Sequence, residues 1–352
     1  MIKKSDYEFI FLTCGARGGA ALLSSILNAH SKISFSADKI KFFTFVKERY
    51  PKLNKLNVEH LFKEMKLRLK IRFNINLDID MCKSLINSNF THKNLYKAIM
   101  LSAYKMDKDS KFLGECENMS WKHVPFFLNK FDKAKAISII RDPRDVLYSF
   151  KKNTIAKGND YLVNIFNTKG LMQNSIKYMQ RYKDKFHIIK FEQLKKNETY
   201  EIKKICNFIG VDFEENMLNE EFWTELGPLG WQKWRNKKVS SFYNKNSNNN
   251  PVNRWRGKID PVDHFLVEWF LKKEMVKLGY KTEFNFTDID VLKESILRLS
   301  SSKILCKMFY DFLMKNKGSS DLPLDKYNPY YWDTKYINDK EKLIEIAKLM
   351  GY

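Results

Sequence analysis

Glycine and proline are scarce, with 13 and 8 in 352 residues. That excludes collagen-like and linker-like chains. Cysteine is scarcer still: Cys14, Cys82, Cys116, Cys206 and Cys306 are the five. They are odd in number, far apart and without a C-x-x-C pair, so neither a disulfide framework nor a zinc site is indicated, and no metal is expected. No run approaches the roughly 18 apolar residues a membrane span needs. The early apolar stretch Phe9–Leu12 is too short for a signal-peptide core and runs straight into glycines, so a reducing, cytoplasmic location is the expectation. Arginine supplies only eleven of the 63 basic residues.

What is present is hydrophobic mass and positive charge. With 44% hydrophobic residues, including 27 Phe, 17 Tyr and 7 Trp, the chain can bury a real core, and disorder is excluded as its main state. The net charge of +22 attracts anions, whether nucleic acid, lipid head groups or a nucleotide. Because lysine dominates the basic residues, the plain alternative is a solvated Lys-rich surface. No RRM-type, KH-type or zinc-finger signature accompanies the charge, so no specific nucleic-acid partner is expected. Peripheral contact with a membrane surface stays open.

Residues 7–14 form a short apolar run ending at Gly15, as in a buried parallel strand. After Gly18 and Gly19, residues 20–27 have helical spacing. Strand, glycine turn and helix is the architecture of a phosphate-binding loop. Ala136–Ile140 is a second strand candidate, leading into Arg141-Asp142-Pro143-Arg144-Asp145, where Asp142 suits a helix cap and Pro143 its first turn. Phe186–Phe191 is a third, followed by a helix over 198–209 that closes at Gly210. Strands alternating with helices predict a parallel α/β sheet. Residues 40–108 read as amphipathic helices inserted between core elements. Residues 240–253 read as a loop and Trp255–Leu278 as a helix, with a Lys-rich helical tail carrying the aromatic segment Tyr327–Trp332 beyond about 285.

A glycine turn between strand and helix offers backbone N–H groups and the positive helix end to an anion. A Walker loop would end in Gly-Lys-Ser/Thr; here it ends in Gly19-Ala20-Ala21, without the lysine or the magnesium ligand. Arg17 remains, suited to an anion that needs no metal. Arg141 at the edge of the second strand and Ser149 eight residues on would suit a phosphate monoester.

The segments CGARGGAALLSSILNAH and ISIIRDPRDVLYSF together resemble the sulfotransferase superfamily. FHIIKFEQL with ICNFIGV, then PVNRWRGKIDP with MVKLGY, extend the similarity in order, and the last pair particularly resembles tyrosylprotein sulfotransferases. The resemblance covers roughly residues 7–282. It implies an α/β, P-loop-like three-layer sandwich with a central parallel sheet, a helical insert at about 40–110 within a domain 1–285, and a helical extension over 286–352. The implied activity is sulfuryl transfer from 3′-phosphoadenosine 5′-phosphosulfate (PAPS) to a hydroxyl or amine of a sugar, lipid or peptide.

Carried over by position, Arg17 matches the residue on the sulfuryl group, beside Gly18, Gly19, Ala20 and Ala21. Arg141 and Ser149 match 3′-phosphate ligands, and Arg254 matches a basic residue of the loop that closes over the nucleotide. Asp38 holds the place of a base that is usually Glu, with Glu115 and Glu117 as alternatives. The chain departs from the pattern in three places. Gly18, Ala20 and Ala21 replace hydroxyl residues, Cys116 stands where many relatives carry Lys, and Phe191 where Tyr is common. A nucleotide-binding homologue with impaired catalysis is therefore a second reading, and a basic nucleic-acid or membrane-surface binder a third. Phe42, Phe43, Phe45, Tyr50, Trp223, Trp231 and Trp234 are candidates to stack on a sugar, against the plainer reading as core.

Overall fold

The computed structural model describes residues 7–37, 40–73, 75–104, 110–153, 156–223, 251–284 and 288–319. Their centre is a five-stranded, wholly parallel sheet in the order β2-β3-β1-β4-β5. The strands are β1 (Glu8–Cys14), β2 (Ile33–Ala37), β3 (Phe112–Asn118), β4 (Ala134–Ile140) and β5 (Phe186–Lys190). Alternation along β1 builds both layers. Phe9 and Phe11 face a core shared with the insert, while Ile10, Leu12 and Cys14 face α1 (Ala20–Asn28).

Two of these strands, β2 and β3, escape the apolar-run criterion. Strand β3 reads FLGECEN, and its two glutamates interrupt the run although both are fully buried. Gly114 sits between Ile10 and Phe35 in register, and a Cβ there would run into the Phe35 ring. Strand β2 carries Ser34 and Ser36, both buried; the Ser34 hydroxyl pairs with that of Ser110 at 2.6 Å.

The insert comprises the π-helical turn Phe42–Lys47, α2 (Lys55–Phe73), α3 (Ile79–Ile86) and α4 (His92–Tyr104). It closes one face of the sheet with an aromatic core in which Phe11 and Phe43 lie edge to face at 4.9 Å. Phe42, Phe43 and Phe45 are thereby buried, Tyr50 packs at the margin of this core, Trp223 is buried in the separate core beside α1, and Trp231 and Trp234 lie outside the described residues.

After β3 come α5 (Val124–Lys130), α6 (Pro143–Asn153), α7 (Val163–Arg181), α8 (Phe191–Lys196) and α9 (Glu198–Ile209). Phe191 opens α8 rather than ending the third predicted strand. Helix α10 runs over Pro261–Lys277, shorter than the predicted Trp255–Leu278. Asp260 caps it through Val262 and Asp263 N–H groups, Pro261 occupies its first turn, and Gly257 before it sits at φ +66°. The predicted helical extension contains α11 (Ile289–Leu299) and α12 (Lys303–Lys315). The segment Tyr327–Trp332 and most of the predicted loop 240–253 lie outside the described residues.

Candidate functional site

The chain order of the sheet reverses at β1, which has β3 on one side and β4 on the other. Ligands of open parallel sheets bind at such a switch point, beyond the carboxyl ends of the strands. The glycine turn and the Arg-Asp-Pro-Arg-Asp segment both begin there, because Cys14 and Ile139 are register partners.

The turn is built by backbone geometry. Gly18 N–H donates to the Gly15 carbonyl at 3.1 Å, Arg17 adopts φ +65°, and Gly19 adopts φ +100°. Gly19 is required twice over, since any Cβ there would also strike the Phe191 ring. Gly19 is the N-cap of α1 and makes no side-chain cap, so the first-turn N–H groups of Ala20 and Ala21 are left to another acceptor. Ala20 is buried and Ala21 half-buried.

Arg17, Arg141 and Ser149 come together. Arg17 Nε donates to Ser149 Oγ at 3.1 Å, and Arg141 Nη1 donates to the Arg17 carbonyl at 3.2 Å. Arg141 is buried against the Phe191 ring, its guanidinium carbon 4.9 Å from the ring centroid. Its Nη2 donates to the Pro251 carbonyl and lies 3.9 Å from Asp145 Oδ2. Its Nε is buried with no hydrogen-bond partner among the described residues. Burial lowers the Arg141 pKa, Asp145 and Glu192 oppose that, and the charges of Arg254 and Arg17 lower it further. Three guanidinium groups thus share one neighbourhood, which favours an incoming anion.

Arg254 is carried there by the segment 251–257. Asp145, fully buried in α6, accepts from Asn253 N–H at 2.8 Å and Trp255 N–H at 3.0 Å. Trp255 is buried against the guanidinium of Arg144 at 4.1 Å. Arg144 is committed to structure: it pairs with Asp142 and Glu268, both at 2.7 Å. Glu192 accepts from Asp142 N–H and from Tyr280 Oη, and burial raises its pKa. Asp145 and Glu192 fall within the Arg-Asp-Pro-Arg-Asp and FHIIKFEQL segments, which assign neither of them a role.

The alternative bases are occupied. Glu115 accepts the N–H groups of Lys41 and Phe42, and Glu117 those of Phe43 and Thr44 together with the hydroxyls of Thr44 and Ser120. Both are buried beneath the turn Phe42–Lys47. Cys116 points to the opposite face, into the core beside α1. Asp38 lies outside the described residues. Among the described residues there is no cluster of His, Cys, Asp and Glu suited to a metal ion, and no helix long and apolar enough to cross a membrane.

A family model described as "Sulfotransferase family" matches residues 10–215, more than half of the chain. The chain belongs to the sulfotransferase family. Within it, the chain is 33% identical to sulfotransferase 2A6 of Rattus norvegicus over 102 residues, 25% of this chain and 35% of that protein. The match thus spans about a third of that relative's length. Two solved structures also align with this sulfotransferase-family chain. The sulfotransferase domain of the Synechococcus PCC 7002 olefin synthase aligns at 18% identity and TM-score 0.49, covering 76% of this chain and 95% of that one. Mouse sulfotransferase SULT7A1, complexed with PAP, aligns at 12% and 0.42, covering 84% and 89%.

Proposed function

We propose that the protein transfers a sulfuryl group from PAPS to a hydroxyl or amine of a sugar, lipid or peptide. The observation that carries this reading is the direct contact of Arg17, Arg141 and Ser149 at the mouth of the glycine turn. The fit to a bisphosphorylated nucleotide rests on the buried Arg141 Nε, which has no hydrogen-bond partner among the described residues.

In this reading the first-turn N–H groups of α1 and the Arg17 guanidinium hold the phosphosulfate end. Arg141, Ser149 and Arg254 hold the 3′-phosphate. The donor supplies an activated sulfuryl group, and what remains for the protein is positioning and charge stabilisation, as in phosphoryl transfer. Asp38 would take the acceptor's proton, a role contributing on the order of 10²–10⁴-fold. The chain just after it is firmly placed: Arg68 Nη1 donates to the Ile40 carbonyl at 2.9 Å, and Lys41 N–H donates to Glu115.

The test is PAPS-dependent sulfate transfer, followed by mass spectrometry across hydroxyl and amine acceptors. Transfer that falls by at least ~10²-fold in Asp38→Asn supports the reading. No transfer to any acceptor, with nucleotide binding intact, favours the second reading, a binding homologue that has lost catalysis. Gly18, Ala20 and Ala21 are the observation behind that alternative, because hydrogen bonds to a charged group contribute about 1.5–3 kcal/mol each and three hydroxyls are gone.

A further inference from the structure

Asp145 lies in no site assigned so far, yet it touches both halves of the anion grip. It is fully buried one turn after Arg141, in the first turn of α6. One of its oxygens accepts Trp255 N–H at 3.0 Å; the other accepts Asn253 N–H at 2.8 Å and faces Arg141 Nη2 at 3.9 Å. The two latched amides flank residue 254. Pro251 closes the ring by accepting from Arg141 Nη2. Asn253 sits at φ +59°, a conformation that costs an L-residue free energy and persists only when its surroundings fix it.

We propose that Asp145 is a positioning residue that locks the strap Pro251–Gly257 to Arg141, so that Arg254 and Arg141 form one preset clamp for the 3′-phosphate. The proposal rests on the PAPS reading. One carboxylate sets the spacing of two guanidinium groups, which otherwise repel each other. It neutralises part of their charge and ties the strap backbone down on both sides of Arg254. Preorganisation of this kind lowers the ordering cost of binding. The Trp255 ring, with the guanidinium groups of Arg144 and Arg256 at 4.1 and 4.5 Å from its centroid, helps to seat the same strap.

The experiment compares the full-length wild type with Asp145→Asn, which keeps the shape but removes the charge and turns an amide NH₂ toward a backbone N–H. Calorimetry uses adenosine 3′,5′-bisphosphate and adenosine 5′-monophosphate, which lacks the 3′-phosphate. D145N weakens the bisphosphate by about tenfold or more and leaves the monophosphate within about twofold. In an Arg254→Ala background the D145N effect on the bisphosphate shrinks, because the two substitutions act on one clamp. Equal losses for both nucleotides, or no loss, overturn the proposal. A ligand-free arm covers a variant that does not fold: in the wild type, the amides of Asn253 and Trp255 are protected from hydrogen exchange, and exchange at solvent rates overturns the latch. Should the wild type bind neither nucleotide, the PAPS reading fails while the exchange arm still judges the latch.

Discussion

Arg17 Nε and Ser149 Oγ, 132 residues apart in sequence, meet at 3.1 Å. The contact joins the turn after β1 to the helix after β4, and it exists because those two strands are register neighbours at the sheet's switch point. A phosphate-binding turn and a basic helix entrance, each a weak signal by itself, become one site.

Removing that hydroxyl tests the junction. Ser149→Ala is expected to weaken adenosine 3′,5′-bisphosphate binding by about 10- to 150-fold, since a hydrogen bond to a charged group is lost. The thermal midpoint should hardly move, because no core contact is removed. Calorimetry alongside a melting curve checks both.

Gly19→Ala is expected to destabilise the fold by roughly 2–4 kcal/mol, through its left-handed φ and its collision with the Phe191 ring. Adding Phe191→Leu should return part of the loss by clearing the collision, while the backbone strain stays. Urea denaturation of both variants measures the difference.

Glu117→Gln is expected to cost about 2–4 kcal/mol, since it turns an NH₂ group toward donors inside the core. If Glu117 holds the Phe42–Lys47 turn in place rather than acting as the base, the pH–rate profile of sulfate transfer keeps its shape. A lost limb in that profile would make Glu117 the base instead of Asp38.

The Glu268 carboxyl gives a pH dependence. Burial would raise its pKa, but hydrogen bonds from His264 and from the N–H groups of Phe284 and Glu283 overcome that and hold it down to about 2. A carboxylate with a depressed folded pKa stabilises the protein above its unfolded value of 4.5, and that contribution is lost as pH falls toward 2. Glu268→Gln should be less stable at neutral pH and lose less between pH 4.5 and 2, as read from denaturation midpoints along the pH series.

Much of this was legible in the sequence, for physical reasons that differ by element. Strands β1 and β4 are buried on both faces, so they read as largely apolar runs ending at the site. Strand β3 is equally buried but spends two positions on Glu115 and Glu117, whose charges are satisfied by backbone N–H groups 70 or more residues away. No local pattern reveals such a partner. The spacing places the start of α10 too early because Trp255 and Val262 continue a helical pattern that only the Asp260-Pro261 pair interrupts. Arg17, Arg141 and Ser149 take their roles from motif positions, whereas Asp145, at the end of the same Arg-Asp-Pro-Arg-Asp segment, gets none, since its partners are main-chain groups of a distant strap.

The central claim is that these arginines grip one nucleotide at both of its phosphates. Its most direct test is a calorimetric titration of adenosine 3′,5′-bisphosphate into the wild type and Arg141→Ala. Saturable one-to-one binding, weakened by about 100-fold when the buried guanidinium is removed, is the predicted result. A flat titration of the wild type, or an Arg141→Ala variant that binds as tightly, would contradict it.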